Sequence, residues 1–457
     1  MNLTFLPAHI LAKRIRERQV SCQEVVTAYL QRISQYNPRL NAIVTLDTEQ
    51  VYQQGKKADE TLAKGDIIGP LHGVPITIKD SLETQGLKTT CSYEPLANYI
   101  PQKDATVVAK LKAAGAIILG KTNTPKLTAD FQTNSPLFGR TNNPWNLDYT
   151  PGGSTGGGAA AIAARLSPLE IGSDLGGSLR VPAHFCGICA LKPTEHRVST
   201  FGHIPELPGN PRTIKHLQTV GPLAHCIDDL LLCLSIIEGV DIQQSWVREF
   251  TEIIDPIKSL TSLRFAWIKG IGDIPSCSET NHALESLGLC LTDLGCHVEN
   301  SSPSNLYFSQ NWEIYQTILS YEFREFSQKD KYAGYKMALE KRQMIVDKIE
   351  QFFDNFDVWL IPVVPIPAFP HCTSGSDIEI EGKKYPYLQA IGAYTTLFNL
   401  TGHPVVVLPL QLSSQGLPIG VQLVGKRGAD MKLLNIAQKL SKIINHLSCT
   451  LDQETNK

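Results

Sequence analysis

The chain has 457 residues, 42% hydrophobic and 19% charged, with a formal net charge of −2. That is the balance of an ordinary globular protein, long enough for two or three domains. It gives no electrostatic reason to expect nucleic acid or an anionic membrane surface as a partner.

Residues 5–36 read as helical. Ser21-Cys-Gln-Glu24 is a capping-box signature, and after it Val25, Val26, Tyr29, Leu30 and Ile33 recur at helical spacing. Asn37-Pro38 is the predicted stop. A more polar helix covers about 48–63 and ends at Lys64-Gly65-Asp66. Val74 to Ile78 reads as a buried strand, Thr106 to Ala114 as a helix, and Ala116 to Leu119 as a second strand. Ala159 to Leu166 is apolar and alanine-rich but short, and Arg165 interrupts it, so it reads as a buried helix. Leu169 to Gly172 is a third strand. Leu263 to Ile268, a helix near 279–295 and a strand near Cys296–Val298 form a βαβ-like unit. Residues 313–354 are mostly helical and charged. Val358 to Ile361, Val405 to Leu408 and Gly420 to Leu423 are further apolar strands, the last two paired through Ser413-Ser-Gln-Gly416.

Strands alternating with helices predict an α/β fold. The expectation is one large α/β/α domain over 1–457, its mixed, largely parallel central sheet covered by helices. No repeat or low-complexity linker divides it. No apolar run reaches the roughly 20 residues that span a bilayer, and Val358 to Phe369 is broken by prolines. Two loops stand out, Ile204 to Arg212 and His371 to Pro386, and long loops in a compact domain are often functional. The 11 cysteines are odd in number and scattered. The start, Met1 to Ile10, lacks a signal peptide's charged and apolar regions. A reducing, cytoplasmic setting follows. Cys186-Gly-Ile-Cys189 is one pair, too few for a four-ligand zinc site, and reads as buried thiols.

Two motifs mislead. Gly115-Ala-Ile-Ile-Leu-Gly-Lys-Thr122 matches the phosphate-loop pattern, but its middle residues are the predicted strand and Thr124-Pro125 blocks the helix that should follow Lys121. Gly152-Gly-Ser-Thr-Gly156 matches the nucleophile elbow of α/β-hydrolases. That motif needs a strand before it, and Asn143 to Pro151 is polar and proline-bearing. An esterase with Ser154 as nucleophile and one of 12 histidines as base remains an alternative.

The chemistry concentrates in two glycine-rich serine loops, Pro151-Gly-Gly-Ser-Thr-Gly-Gly-Gly158 and Asp174-Leu-Gly-Gly-Ser-Leu-Arg180. A strand enters the second loop and a helix is expected to leave from Ser178. Gly176 and Gly177 let backbone N–H groups approach a reacting oxygen, so the N–H groups of Leu175, Gly176, Gly177 and Ser178 can form an oxyanion hole. A tight turn that merely needs glycine is the alternative. Lys79 closes the apolar run in Gly73-Val-Pro-Ile-Thr-Ile-Lys-Asp80. As a base near pH 7 it needs burial to lower a reference pKa of about 10.4 by roughly two to three units.

GVPITIKD, FGRTNNPWN, PGGSTGGGAAA, GSDLGGSLR, CALKPT and VGPLA follow in order, then DVWLIPVVP, FNLTGHPVVVLP and GLPIGVQLVG. This set resembles the amidase signature family of serine hydrolases over roughly residues 5–435. The resemblance implies a Ser–cisSer–Lys triad acting on a small-molecule amide without cofactor or metal. Ser178 would be the nucleophile, Ser154 the bridge behind a cis Gly153–Ser154 peptide, and Lys79 the general base. Asp174 and Arg180 would brace the loop. Thr155 stands where the family commonly has serine and keeps the hydroxyl. The family includes general amidases, fatty-acid and indoleacetamide hydrolases, and the A subunit of the aminoacyl-tRNA amidotransferase. That subunit typically has an acidic residue a few positions before the motif matched by Phe398-Asn-Leu-Thr-Gly402; here the position is near Gly392. The resemblance leaves a homodimer or a partner subunit open. Phe201, Ile204, Tyr385, Tyr387 and Tyr394, from the loops at 200–212 and 371–396, are the expected pocket lining, with a preference for an apolar or aromatic acyl group.

Overall fold

The computed structural model describes residues 2–209, 214–252, 257–272, 274–304, 306–323 and 329–444. Eleven strands drawn from positions 43 to 424 form one sheet. They are β1 (Ile43–Leu46), β2 (Pro75–Lys79), β3 (Ile117–Thr122), β4 (Leu169–Asp174), β5 (Cys189–Lys192), β6 (Thr219–Ala224), β7 (Arg264–Trp267), β8 (His297–Asn300), β9 (Val358–Pro362), β10 (Val405–Leu412) and β11 (Pro418–Val424). Their order is β1-β3-β2-β4-β6-β5-β10-β11-β9-β7-β8.

The sheet is mixed. Parallel pairing falls in two blocks, β3-β2-β4 and β9-β7-β8. The middle, β4-β6-β5-β10-β11-β9, is antiparallel throughout. The β10–β11 hairpin turns at Ser413–Gly416, where Gly416 N–H donates to the Ser413 carbonyl. Every residue of β2, β3, β4, β5, β6, β9 and β11 is buried. Strands covered on both faces by helices read as continuous apolar runs, which is why most were legible.

The helices keep the predicted capping chemistry but not all of the predicted bounds. The Ser21–Glu24 capping box is formed on both sides. Pro38 does not stop its helix: Cys22–Leu40 runs through it and ends at Asn41, which adopts the left-handed conformation at φ 52°. The chain turns there because the Asn37 side chain accepts from the N–H groups of both Ala42 and Ile43, each at 2.9 Å. A proline in the final turn removes only one backbone donor. The predicted 5–36 helix is also two, Ala8–Arg16 and Cys22–Leu40. No helix among the described residues is long and apolar enough to cross a membrane.

Candidate active site

The first serine loop is preceded by no strand. It runs through Gly152, Gly153 and Ser154 into the buried helix Gly156–Ala163. The Gly153–Ser154 peptide is cis. Gly153 lies so close to another segment that a Cβ there would sit 2.6 Å from the Asp130 carbonyl oxygen and 2.8 Å from the Phe131 carbonyl carbon. Only glycine fits that approach.

The second loop leaves the end of β4 and is held by Asp174. Its carboxylate accepts from the N–H groups of Gly177 at 2.8 Å and Leu179 at 3.0 Å, and from Arg180 through Nε at 3.0 Å and a terminal nitrogen at 2.9 Å. Arg180 also donates to the Thr395 carbonyl at 2.9 Å, the Gln422 side chain at 2.9 Å and the Asn399 side chain at 2.6 Å. Both members of the pair have fully buried side chains. Burial alone would raise the Asp174 pKa, but Arg180 and the Asn399 amide outweigh it and hold the carboxyl well below the usual range. Two more side chains fix the loop from outside: Thr395 Oγ1 donates to the Gly176 carbonyl at 2.6 Å, and the Tyr315 hydroxyl to the Leu175 carbonyl at 3.0 Å. Gly177 has φ 130°, and a Cβ on it would meet Thr395 Oγ1 at 2.5 Å.

Two expectations for this loop change. Its helix, Arg180–Cys186, starts two residues after Ser178 and spans seven residues. The Gly177 N–H is engaged by Asp174 and is not offered to a substrate oxygen. The N–H groups of Leu175, Gly176 and Ser178 have no hydrogen-bond partner among the described residues, and these three residues line the adjacent cavity.

Lys79 ends β2, beside β4, and points between the two loops. Its Nζ lies 2.7 Å from Ser154 Oγ, 3.0 Å from Thr155 Oγ1 and 3.0 Å from Ser173 Oγ. It is fully buried and forms no ion pair with a carboxylate among the described residues. Burial is therefore the dominant influence. It lowers the Lys79 pKa to about 7 against the weaker upward pull of Cys91, Asp174 and Glu170. The Thr155 N–H donates to the Ser178 carbonyl at 3.2 Å and ties the loops together. Ser178 is 7% exposed, and its hydroxyl makes no hydrogen bond to that of Ser154.

Sequence reasoning missed two residues here. Ser173 directly follows the predicted Leu169–Gly172 strand, and a hydroxyl at the entry to the second serine loop is the one signal that could have found it. His203, whose Nε2 lies 2.8 Å from Ser173 Oγ, carries no local signal, because it arrives from a loop 30 residues further on.

A cavity of about 320 Å³ opens onto Ser178. Its walls are largely apolar, with Phe131, Trp312, Tyr315, Leu319, Phe323 and Leu388 prominent. Trp312 and Tyr315 stack at 5.6 Å on the helix Phe308–Glu322. The expected lining is corrected. Ile204 is buried beneath the site, where its N–H donates to the Ser81 carbonyl. Tyr394 is buried with its hydroxyl on the Ile274 carbonyl. Phe201 and Tyr385 are half-buried elsewhere, and Tyr387 supports the wall from behind, through a hydrogen bond to Asp130 at 2.6 Å and an edge-on contact with the Phe131 ring. Residues 210–212 of the first loop lie outside the described residues. The second segment contributes Leu388 and Thr396.

The misleading motifs resolve. Lys121 lies within β3, buried, donating to the Leu82 carbonyl and to Thr84 and Thr89 at 2.9 and 3.1 Å. Among the described residues no histidine hydrogen-bonds to Ser154. Cys186 and Cys189 are buried and form no disulfide among the described residues. Among the described residues two clusters bring metal-ligating atoms together, His9–Cys226–Asp229 and Glu195–His196–His216. In each the carboxylate is already committed: Asp229 accepts from the first N–H groups of the Ala8–Arg16 helix, and Glu195 from Arg342 and the Leu217 N–H.

The chain matches the family described as Amidase over residues 24–332 and 323–434. It is 33% identical over 477 residues to the A subunit of glutamyl-tRNA(Gln) amidotransferase from Alkaliphilus metalliredigens (strain QYMF), covering 93% of this chain and 94% of that protein. It is 31% identical to the A subunit numbered 2 of glutamyl-tRNA(Gln) amidotransferase from Clostridium acetobutylicum, covering 97% and 100%. Among solved structures, 6-aminohexanoate cyclic dimer hydrolase in complex with substrate superposes with a TM-score of 0.82 at 25% identity, over 99% of this chain and 100% of that one. The A subunit of glutamyl-tRNA(Gln) amidotransferase from Thermotoga maritima does so at 0.79 and 26%, over 97% and 95%.

Proposed function

This chain belongs to the Amidase family and is an amide-hydrolysing enzyme, and from that premise we propose that it cleaves a carboxylic amide through an acyl-enzyme on Ser178. The observation that carries the proposal is Lys79: a fully buried amine, unpaired with any described carboxylate, 2.7 Å from Ser154 and with its pKa lowered to about 7. A lysine so placed is substantially neutral at physiological pH and can accept a proton.

In the proposed cycle neutral Lys79 takes a proton from Ser154, which takes one from Ser178. Ser178 Oγ bonds to the amide carbon, and the oxyanion rests on the N–H groups of Leu175, Gly176 and Ser178. The C–N bond breaks as the proton returns through Ser154 to the leaving nitrogen. Water then attacks the acyl-enzyme by the same relay and releases the carboxylate. The open step is the Ser178-to-Ser154 hydrogen bond, and catalytic hydrogen bonds are often loose without substrate. Asp174 and Arg180 brace the loop, and Gly153 and Thr155 hold the bridge against the base. The apolar walls around Trp312 and Phe131 favour an apolar or aromatic acyl group.

The identity to A subunits of glutamyl-tRNA(Gln) amidotransferase supports a second function, that of one component working within a complex. Against it, position 392 is glycine, its Cβ position about 3.5 Å from Phe131 and Trp312, so no acidic side chain reaches the cavity from that position.

Labelling with a fluorophosphonate and mapping the adduct tests the assignment. The expected adduct is on Ser178, absent in Ser178→Ala. An adduct on Ser154 overturns it. Glutaminase activity that appears only with a co-purifying partner favours the second function.

A further inference from the structure

Three hydroxyls surround the Lys79 amine, and their protons decide which way it acts. Protonated Lys79 has three N–H groups for three oxygens, Ser154, Thr155 and Ser173. Neutral Lys79 has two N–H groups and one lone pair. The lone pair must meet the hydroxyl whose proton is to be removed.

Two of the three protons are spent elsewhere. Thr155 Oγ1 donates to the Ser173 carbonyl at 3.2 Å. Among the described residues Ser173 Oγ has one hydrogen-bond partner besides Lys79, the His203 Nε2 at 2.8 Å. If that nitrogen is bare, Ser173 donates to it and can only accept from Lys79. Both N–H groups of the neutral amine are then drawn to Thr155 and Ser173, and the lone pair is left to Ser154. If the nitrogen carries a proton, or the ring is absent, the Ser173 hydroxyl is released and competes with Ser154 for the lone pair. Ser173 and His203 are 3% and 2% exposed, so water is a poor substitute for either partner.

We propose that His203 is a positioning residue: by accepting the Ser173 proton on Nε2, it aims the lone pair of neutral Lys79 at Ser154. The proposal rests on Ser178 being the nucleophile and Lys79 the base. His203 touches no reacting atom. It acts by removing Ser173, 3.0 Å from the base against 2.7 Å for the bridge, as a competitor for the lone pair; Thr155, also at 3.0 Å, has its proton on the Ser173 carbonyl.

The consequence is a reversal that a merely structural role does not produce. The rate of Ser178 labelling by a fluorophosphonate is measured under pseudo-first-order conditions, across probe concentrations, for wild type, His203→Leu, Ser173→Ala and the double variant. His203→Leu is expected to lower the limiting rate about tenfold or more, with little change in the half-saturating concentration. Ser173→Ala alone costs less. The double variant is expected to label faster than His203→Leu, because the competing hydroxyl is gone. A double variant as slow as His203→Leu or slower overturns the proposal, as does a His203→Leu rate within twofold of wild type. Thermal unfolding checks that each variant is folded. Should His203→Leu not fold, His203→Asn, whose side chain ends short of Ser173, makes the same comparison. Failure of the wild type to label on Ser178 overturns the proposed function itself, a distinct result.

Discussion

Burying Lys79 without a carboxylate partner has a cost that two pH profiles can read. Its pKa falls from the ordinary 10.5 to about 7. Each unit is worth about 1.4 kcal/mol, so at pH 7 the folded chain carries roughly 4 kcal/mol of disfavoured lysine chemistry relative to the unfolded one. The folded-state value lies below the unfolded one. Between about 7 and 10.5 the unfolded chain binds the extra proton, and this contribution makes stability rise with pH. Lys79→Met removes it, at the expense of three hydrogen bonds worth about 1 kcal/mol each. The diagnostic quantity is therefore the change in the gap between the two proteins. Urea unfolding from pH 7 to 10.5 is expected to shift that gap by about 4 kcal/mol in favour of wild type. Lys121 and Lys192, whose pKa values burial also lowers, to about 8 and 7, titrate in both proteins and cancel. The acid limb of Ser178 labelling should have its midpoint near 7 in wild type, and Lys79→Met should not label. A midpoint above 9, or a stability gap that does not move with pH, would refute the claim that burial makes this lysine a base.

Arg180→Met leaves the Asp174 carboxylate buried without its guanidinium and is expected to destabilise the chain by roughly 3–5 kcal/mol; a urea midpoint close to wild type would contradict this. Trp312→Ala opens the cavity wall. In a panel of anilides with acyl groups from acetyl to phenylacetyl, kcat/KM for the bulkier members is expected to rise relative to acetyl, and an unchanged ratio would show that this wall does not select the acyl group.

What the sequence revealed depended on how local the cause was. The Ser21–Glu24 cap, the buried run into Lys79 and the Ser413–Gly416 hairpin are short-range patterns, and each is present. Pro38 misled because an asparagine side chain, not the proline, turns the chain at 41. Strands β1, β5 and β6 went unread: the first has four residues, the second follows the short Arg180–Cys186 helix, and the third, Thr219–Ala224, contains Gly221 and Pro222. Both serine loops were legible because clustered glycines mark places where backbone must come close to something. The use of the Gly177 N–H by Asp174 was not, since it depends on which way one peptide faces. The cavity was misassigned for a different reason. Part of its aromatic wall, Trp312 and Tyr315, comes from some 130 residues after the Asp174–Arg180 loop, on a helix whose amphipathic pattern marks them as ordinary packing residues.

The Asp174–Arg180 loop is braced by Tyr315, Thr395, Asn399 and Gln422, all from the later half of the chain. A consequence concerns the order of synthesis. A ribosome that has just released residue 180 has made Lys79, Ser154 and Ser178, yet Arg180 has none of its distant acceptors and the Gly176 carbonyl has no donor. More than 200 further residues must emerge before the loop can be locked. The nascent chain therefore carries Ser178, the proposed nucleophile, through much of translation in an unassembled loop, and on this reading hydrolytic competence arrives only when the chain is nearly complete.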